Sequence, residues 1–452
     1  MADNTELNPG TGGDVIATDD ISNVKHQLVK VEFGADGFAT QVSDNNPLPI
    51  SFGTAARDSF GRFRVSNLTK LFESKQIFDN QPLFWDELLT GSGITSAWTV
   101  ARASTILTST ASTAGNFIRQ TFRRFNYRAG QSTLIDMTGI LDPSGGGTGV
   151  QRYIGQLDDD NGFYFMDDQG TIKVGCRSSV TGSPVDVLTE QANWNVDTMD
   201  GTGPSGLTLD PTKAQIFFFD YEWLGVGVVR FAVGGPRGEP IYVHEFRNAN
   251  ALDSVYMSTP NNPLRYQMIT TASSPASTME CMCAAVSTEG DDSPLGIEHN
   301  HSTDGTAITL ASTGQYYPIV GIRLQAAKVG AMVDTINVHA IELGTNKFYQ
   351  WALMFNPTIS GTFTYGDLTN SAVQTATGVG ATTVTGNGII IASGFGVSAK
   401  SGGSGGDAIN TTLKLGVDIA GTGLDTLVLA IQPIGGTSGL SAEGSMTWRE
   451  SQ

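Results

Sequence analysis

The chain has 452 residues, with 44 acidic against 26 basic side chains, a net charge of −18 and only 15% charged residues overall. An acidic chain repels phosphate, which argues against nucleic acid as a partner. With 39% hydrophobic residues, 55 glycines and abundant Ser and Thr, the composition is that of an all-β protein of short strands and tight turns, long enough for two or three domains.

Residues 1–58 read as an extended arm. Gly10 to Gly13 is flexible, Lys25 to Val31 alternates like a strand, Gly34-Ala35-Asp36-Gly37 is a turn, and Asn46-Pro47-Leu48-Pro49-Ile50 is held extended by its prolines. Such a segment buries too little to fold alone. Its apolar Val15, Ile16, Ile21 and Val24 point to an arm that folds onto another chain.

Residues 59–290 read as a β-sandwich of jelly-roll or concanavalin-like type. Candidate strands are 97–109, 116–127, 132–140, 152–157, 163–166, 171–177, 241–246, 265–271 and 279–287. Asn161-Gly162 predicts a tight primed hairpin turn. Val196 to Pro211, rich in Asp, Gly and Pro, predicts a long loop.

The most informative stretch is Ile216 to Val233. Strand side chains alternate between faces, so Phe217, Phe219, Tyr221 and Trp223 share one face. Gly225-Val226-Gly227 can turn the chain, and Val228 to Val233 can return beside it. An exposed row of four aromatics would aggregate, so a second sheet is required against it.

Residues 291–296 read as a linker, and 297–452 as a C-terminal jelly-roll-like β domain. Its candidate strands are 307–311, 319–326, 332–343, 348–354, 384–392, 412–419 and 426–433.

The stretch Gly13-Asp14-Val15-Ile16-Ala17-Thr18-Asp19-Asp20-Ile21, followed by Val24-Lys25-His26-Gln27 and Ala35-Asp36-Gly37, resembles the N-terminal segment of many tailed-bacteriophage virion proteins of fibre, collar, tail or head-decoration type. Asp58-Ser59-Phe60-Gly61-Arg62-Phe63-Arg64-Val65-Ser66 and Asp79-Asn80-Gln81-Pro82-Leu83-Phe84-Trp85 are similar to phage structural proteins, over a range reaching about residue 290. The resemblance implies a virion location and an anchoring role for Asp14, Val15, Ile16, Asp19, Asp20, Ile21 and Val24. It implies a non-enzymatic structural subunit, assembled as a homo-trimer, whose partners are other virion proteins of the portal, collar, tail or capsid. The alternative is a fibre or spike protein that binds host-surface glycan, or one that degrades it.

Few residues suggest chemistry. Asp220 and Glu222 share a strand face about 6.5–7 Å apart along the chain, a spacing suited to glycoside hydrolysis, although Leu224 occupies the place of a third acid. The plainer reading puts both on a solvated or inter-subunit face. His299-Asn300-His301 places two imidazoles on one side, and three copies about an axis could supply a metal site. Asp158-Asp159-Asp160-Asn161-Gly162 could hold calcium but reads more simply as an acidic turn. Trp85, Trp98 and Trp194 are either sugar-stacking or core residues. The basic run Arg119, Arg123, Arg124, Arg128 reads as a solvated or inter-subunit strand face. Cys176, Cys281 and Cys283 form no disulfide framework. No nucleophile elbow, phosphate loop or dinucleotide fingerprint occurs, so no cofactor is expected. No apolar run is long enough to span a bilayer, and no membrane partner is expected.

Overall fold

The computed structural model describes residues 57–451 apart from 65–66, 144, 146, 291–294, 344–346, 398–404, 409–412 and 437–438, together with short stretches between residues 5 and 42. The chain divides into two units, Met1–Ala56 and Arg57–Gln452. Among the described residues, the helices are two single 3-10 turns, and no helix is long and apolar enough to cross a membrane.

In Met1–Ala56 the described strands form two-stranded antiparallel ladders. Thr5–Glu6 pairs with Val15–Ile16, Thr18–Ile21 with Val24–Gln27, and Glu32–Phe33 with Thr40–Gln41. Asp14 lies outside the described residues. Val15, Ile16, Asp19, Asp20, Ile21 and Val24 all fall in ladders. Ser22 supplies the positive φ of 56° that turns the second ladder, and Ile21 pairs directly with Val24 beside it.

Arg57–Gln452 is all-β and contains two β-sandwiches. In the first, one sheet runs in the order Pro240–Arg247, Val228–Gly234, Gln215–Tyr221, Thr133–Ile140, Ser277–Glu289, Ser104–Ser109, Ile94–Thr99. Leu68–Ser74 also pairs with the long strand Ser277–Glu289. The other sheet runs Val185–Glu190, Thr171–Ser178, Gly162–Asp168, Val150–Leu157, Leu264–Thr270, Gly115–Thr121, Trp85–Thr90.

The aromatic row behaves as its alternation requires. Phe217, Phe219 and Tyr221 are buried, and Trp223 packs at the margin of the core. Phe163 and Phe165 of the opposite sheet interleave with them. Their ring centroids lie 4.8 Å (Phe163–Tyr221) and 4.9 Å (Phe165–Phe217) apart, and both rings sit 5.6 Å from Phe219. These are tilted contacts within the range that favours aromatic pairs. Val228–Gly234 returns beside Gln215–Tyr221, with Phe231 opposite Phe219. Leu224 and Gly225 carry positive φ in the connecting loop.

Several expectations change in detail. Residues 97–109 are two strands, Ile94–Thr99 and Ser104–Ser109, because the chain turns at Ala103 with φ 48°. The Asn161-Gly162 hairpin has a longer loop, since Gly162 pairs with Leu157 as the first residue of its strand. A Cβ on Gly162 would lie 2.3 Å from Leu157 Cα, so glycine serves close backbone approach there.

The second sandwich packs a sheet ordered Ile297–Ser302, Leu440–Ser451, Met332–Glu342, Gly405–Ala408 against one ordered Gly366–Asp367, Val373–Thr377, Tyr317–Leu324, Thr426–Ile434, Phe348–Phe355, Ile389–Val397. Ile308–Leu310 also pairs with Leu440–Ser451. Residues 413–416 are irregular and Val417 makes one isolated bridge, so the expected strand 412–419 is not formed over its described part. Ile297–Ser302 is a strand that pairs with Leu440–Ser451.

The interleaved rings carry the first core. Phe219→Ala is expected to destabilise the first sandwich by about 3–5 kcal/mol, read as a lower denaturation midpoint. A change below about 1 kcal/mol would contradict that packing.

Candidate functional site

The outer face of the first sheet, opposite the aromatic row, carries Asp220. Residues 57–64 close over it. Asp58-Ser59-Phe60-Gly61-Arg62 makes a tight turn, with Gly61 at φ 77° and the Asp58 carboxylate accepting from Arg62 N–H and Arg62 Nε at 2.7 Å each. Arg57 and Phe63 bridge across it. This local geometry follows from an Asp that bonds the backbone ahead of it and a Gly free to take positive φ.

The turn delivers two side chains to Asp220. Ser59 Oγ donates to Asp220 Oδ1 at 3.2 Å, and the Arg64 guanidinium pairs with Oδ2. The sheet supplies the rest. Ser132 Oγ donates to Oδ1 at 2.7 Å, Arg230 Nη1 pairs with Oδ2 at 2.9 Å, and Tyr242 O–H donates to Oδ2 at 3.0 Å. Arg230 also donates to Arg57 O at 2.8 Å and to Glu245 at 3.2 Å, and it lies 3.7 Å over the Tyr242 ring. Arg64 reaches Glu289 Oε1 at 2.7 Å. One turn is thereby fastened to residues of the strands Gln215–Tyr221, Val228–Gly234, Pro240–Arg247 and Ser277–Glu289.

Asp220 is fully buried and receives five donors. The expected solvated or inter-subunit face for Asp220 is therefore corrected: residues 57–64 cover it. Glu222 lies past the strand end, half-buried, with burial raising its pKa. The pair does not frame an open cleft at Asp220.

Burial also acts on neighbouring carboxyls. Asp136 is raised to about 6, by desolvation first, with Lys70 and Arg64 opposing. Glu289 is raised to about 7, by desolvation first, opposed by Arg64 and reinforced by Asp58 and Asp220.

The basic run is also corrected. Arg119 is buried, pairs with Glu87 and lies 5.1 Å over Trp85. Arg123 donates to Leu71 O at 2.8 Å and to Met332 Sδ at 3.5 Å, and Arg124 pairs with Asp158 at 2.5 Å. Asn126 donates to Ser451 O and Asn261 to Gly330 O, both at 3.1 Å. This segment joins the two sandwiches of one chain. Beside it lies a cleft of about 680 Å³ lined by Tyr127, Arg128, Ile297, Lys328, Met332 and Glu450, among others.

Asp158 bonds the backbone N–H groups of Asp160 and Asn161 at 2.8 and 2.7 Å, while Arg265 pairs with Asp159 at 2.6 Å. These contacts make Asp158–Asn161 an ion-paired acidic turn. Trp85 and Trp194 are core residues, and Trp98 is half-buried with its Nε1 bonded to Gln76 O at 2.8 Å.

His299 and His301 lie opposite Trp448 and Met446, on the inner face of their sheet. His299 stacks on Trp448 at 6.1 Å with Nε2 3.8 Å from Glu450, and His301 Nε2 lies 3.0 Å from Thr377 Oγ1. A metal shared about an axis between copies needs both rings facing outward, so this geometry does not fit that expectation. Among the described residues, no group of three or more His, Cys, Asp or Glu is placed to hold a metal ion.

No protein-family model matches the chain, and no curated protein matches it. Solved structures similar to about half of it include an endo-1,3-beta-glucanase from Streptomyces sioyaensis (12% identity, 50% of this chain and 97% of that one, TM-score 0.32). Lectin I-B4 from Griffonia simplicifolia is 11% identical over 50% of this chain and 100% of its own, with a TM-score of 0.30. A legume lectin-like domain from Entamoeba histolytica is 9% identical over 49% of this chain and 98% of its own, with a TM-score of 0.28. Likeness at this level transfers neither ligand nor reaction.

Breaking the buried cluster leaves uncompensated charge. Arg64→Ala is expected to cost about 3–5 kcal/mol, read as a lower unfolding midpoint; a neutral change would contradict the clamp. The raised carboxyls predict a pH signature. Folding binds their protons more tightly, so their stabilising contribution is complete below about pH 4 and is lost as pH rises through 6 to 7. Asp136→Asn should lessen the fall in melting temperature between pH 4 and 7, and an unchanged slope would count against burial as the cause.

Proposed function

We propose that this chain is a non-enzymatic structural subunit of a tailed-bacteriophage virion, held on the particle by its N-terminal arm and assembled as a homo-oligomer. One observation carries the proposal. In Met1–Ala56, Ile21, Val24 and Val29 expose 54%, 56% and 75% of their surface. Two-stranded ladders are marginal in water, and this one leaves apolar side chains open. Another chain that covers them supplies the missing burial, by strand addition and apolar contact. The saturated Asp220 supports a structural role for the most conspicuous acid of the body.

The partners under this proposal are other virion proteins of the portal, collar, tail or capsid, and the location is the virion. Covering the exposed half of Ile21 and Val24 stabilises docking by about 1 kcal/mol each. Ile21→Asp with Val24→Asp should therefore cut incorporation into particles at least about tenfold while leaving the melting of Arg57–Gln452 unchanged. Quantifying the subunit in purified particles tests this. Normal incorporation of the double variant, or of a chain lacking residues 1–56, would overturn the anchoring role.

A further inference from the structure

We propose that copies of this chain meet through the outer face of the second sandwich at Phe348, Phe395 and Val397. The inference rests on the homo-oligomer reading and names its surface.

Among the described residues, Ile389–Val397 ends its sheet, paired with Phe348–Phe355, with Val397 opposite Phe348 and Phe395 opposite Gln350. Its inward positions are set by large neighbours. A Cβ on Gly396 would lie 2.2 Å from Tyr349 Cζ, and one on Gly394 2.6 Å from Trp351 Nε1. The strand therefore needs glycine inward, while Phe395 and Val397 project outward. Phe348, Phe395 and Val397 expose 53%, 74% and 48% of their surface, and Ile390 is exposed on the same face. Farther along that face, Tyr316, Ala352, Met354, Val384 and Ala430 form a closed buried cluster. Among the described residues, that cluster does not reach Phe348.

Edge strands of soluble proteins are defended by charge, proline or a covering segment. Ile389–Val397, Phe348–Phe355 and Thr426–Ile434 contain no Asp, Glu, Lys or Arg at all. Two copies of a chain with net charge −18 repel each other. The patch offered by these three strands is uncharged, so copies approach there at low electrostatic cost, whereas a strongly charged partner finds little complement in it. With 150–250 Å² per aromatic side chain, the two phenylalanines together expose roughly 250 Å². That suits the apolar centre of an interface of about 800 Å² per partner.

The test is the mass of the full-length protein by light scattering and native mass spectrometry. Wild type should be oligomeric, and Phe395→Glu with Val397→Asp should become monomeric at the same concentration with an unchanged circular dichroism spectrum. Phe348→Ser, a milder change, should weaken association at least about tenfold. Hydrogen exchange at 389–397 should quicken on dilution of the wild type. An oligomer that survives all three substitutions, with no dilution effect, overturns this surface and leaves the homo-oligomer reading standing. A wild type that is monomeric at all concentrations overturns both.

Discussion

Every β-strand has two faces and two edges, and each apolar face must be covered by something. That constraint organises the whole chain. The aromatic row Phe217, Phe219, Tyr221 is covered by Phe163 and Phe165 of the facing sheet. The reverse face of the same strand holds Asp220, and residues 57–64 cover it with Ser59 and Arg64. Where a cover is missing, at Ile21 and Val24 or at Phe348 and Phe395, a partner becomes the physical expectation.

The Asp220 cluster shows how a charge is placed in a protein interior without becoming reactive. Five donors saturate the carboxylate, and both guanidiniums make further bonds, to Arg57 O, Glu245 and Glu289. Replacing any member strands the others in low dielectric. The arrangement fixes where the chain enters the first sandwich, because Arg57 to Arg64 belong to it. The basic run plays a comparable part between sandwiches, where Arg123 and Asn126 tie residues around 120 to Met332 and Ser451.

Much of the fold was legible because strand alternation is a strong signal in long aromatic stretches. The pairing of Gln215–Tyr221 with Val228–Gly234 and the need for a facing sheet both follow from residues 216–233 alone. Leu440–Ser451 was not legible as a strand, although it is central in its sheet. Its period-2 pattern is present, with Leu440, Ala442, Met446 and Trp448 inward against Ser441, Glu443, Thr447 and Arg449, but Gly444 and Glu450 at inward positions break it into short pieces. Charge was legible but its location was not. Asp220 and Arg119 look like surface residues in sequence, and they are buried only because partners far along the chain, Arg64 and Glu87, neutralise them. The His299-Asn300-His301 spacing correctly put both rings on one side, but spacing cannot tell an inner face from an outer one.

Under the proposed function, the arm's apolar ladder is completed by another virion protein. Hydrogen exchange of residues 15–33, compared between the isolated subunit and the assembled particle, tests it most directly. The account predicts amides that exchange rapidly in the isolated subunit and become strongly protected in the particle. Equal protection in both states would contradict it.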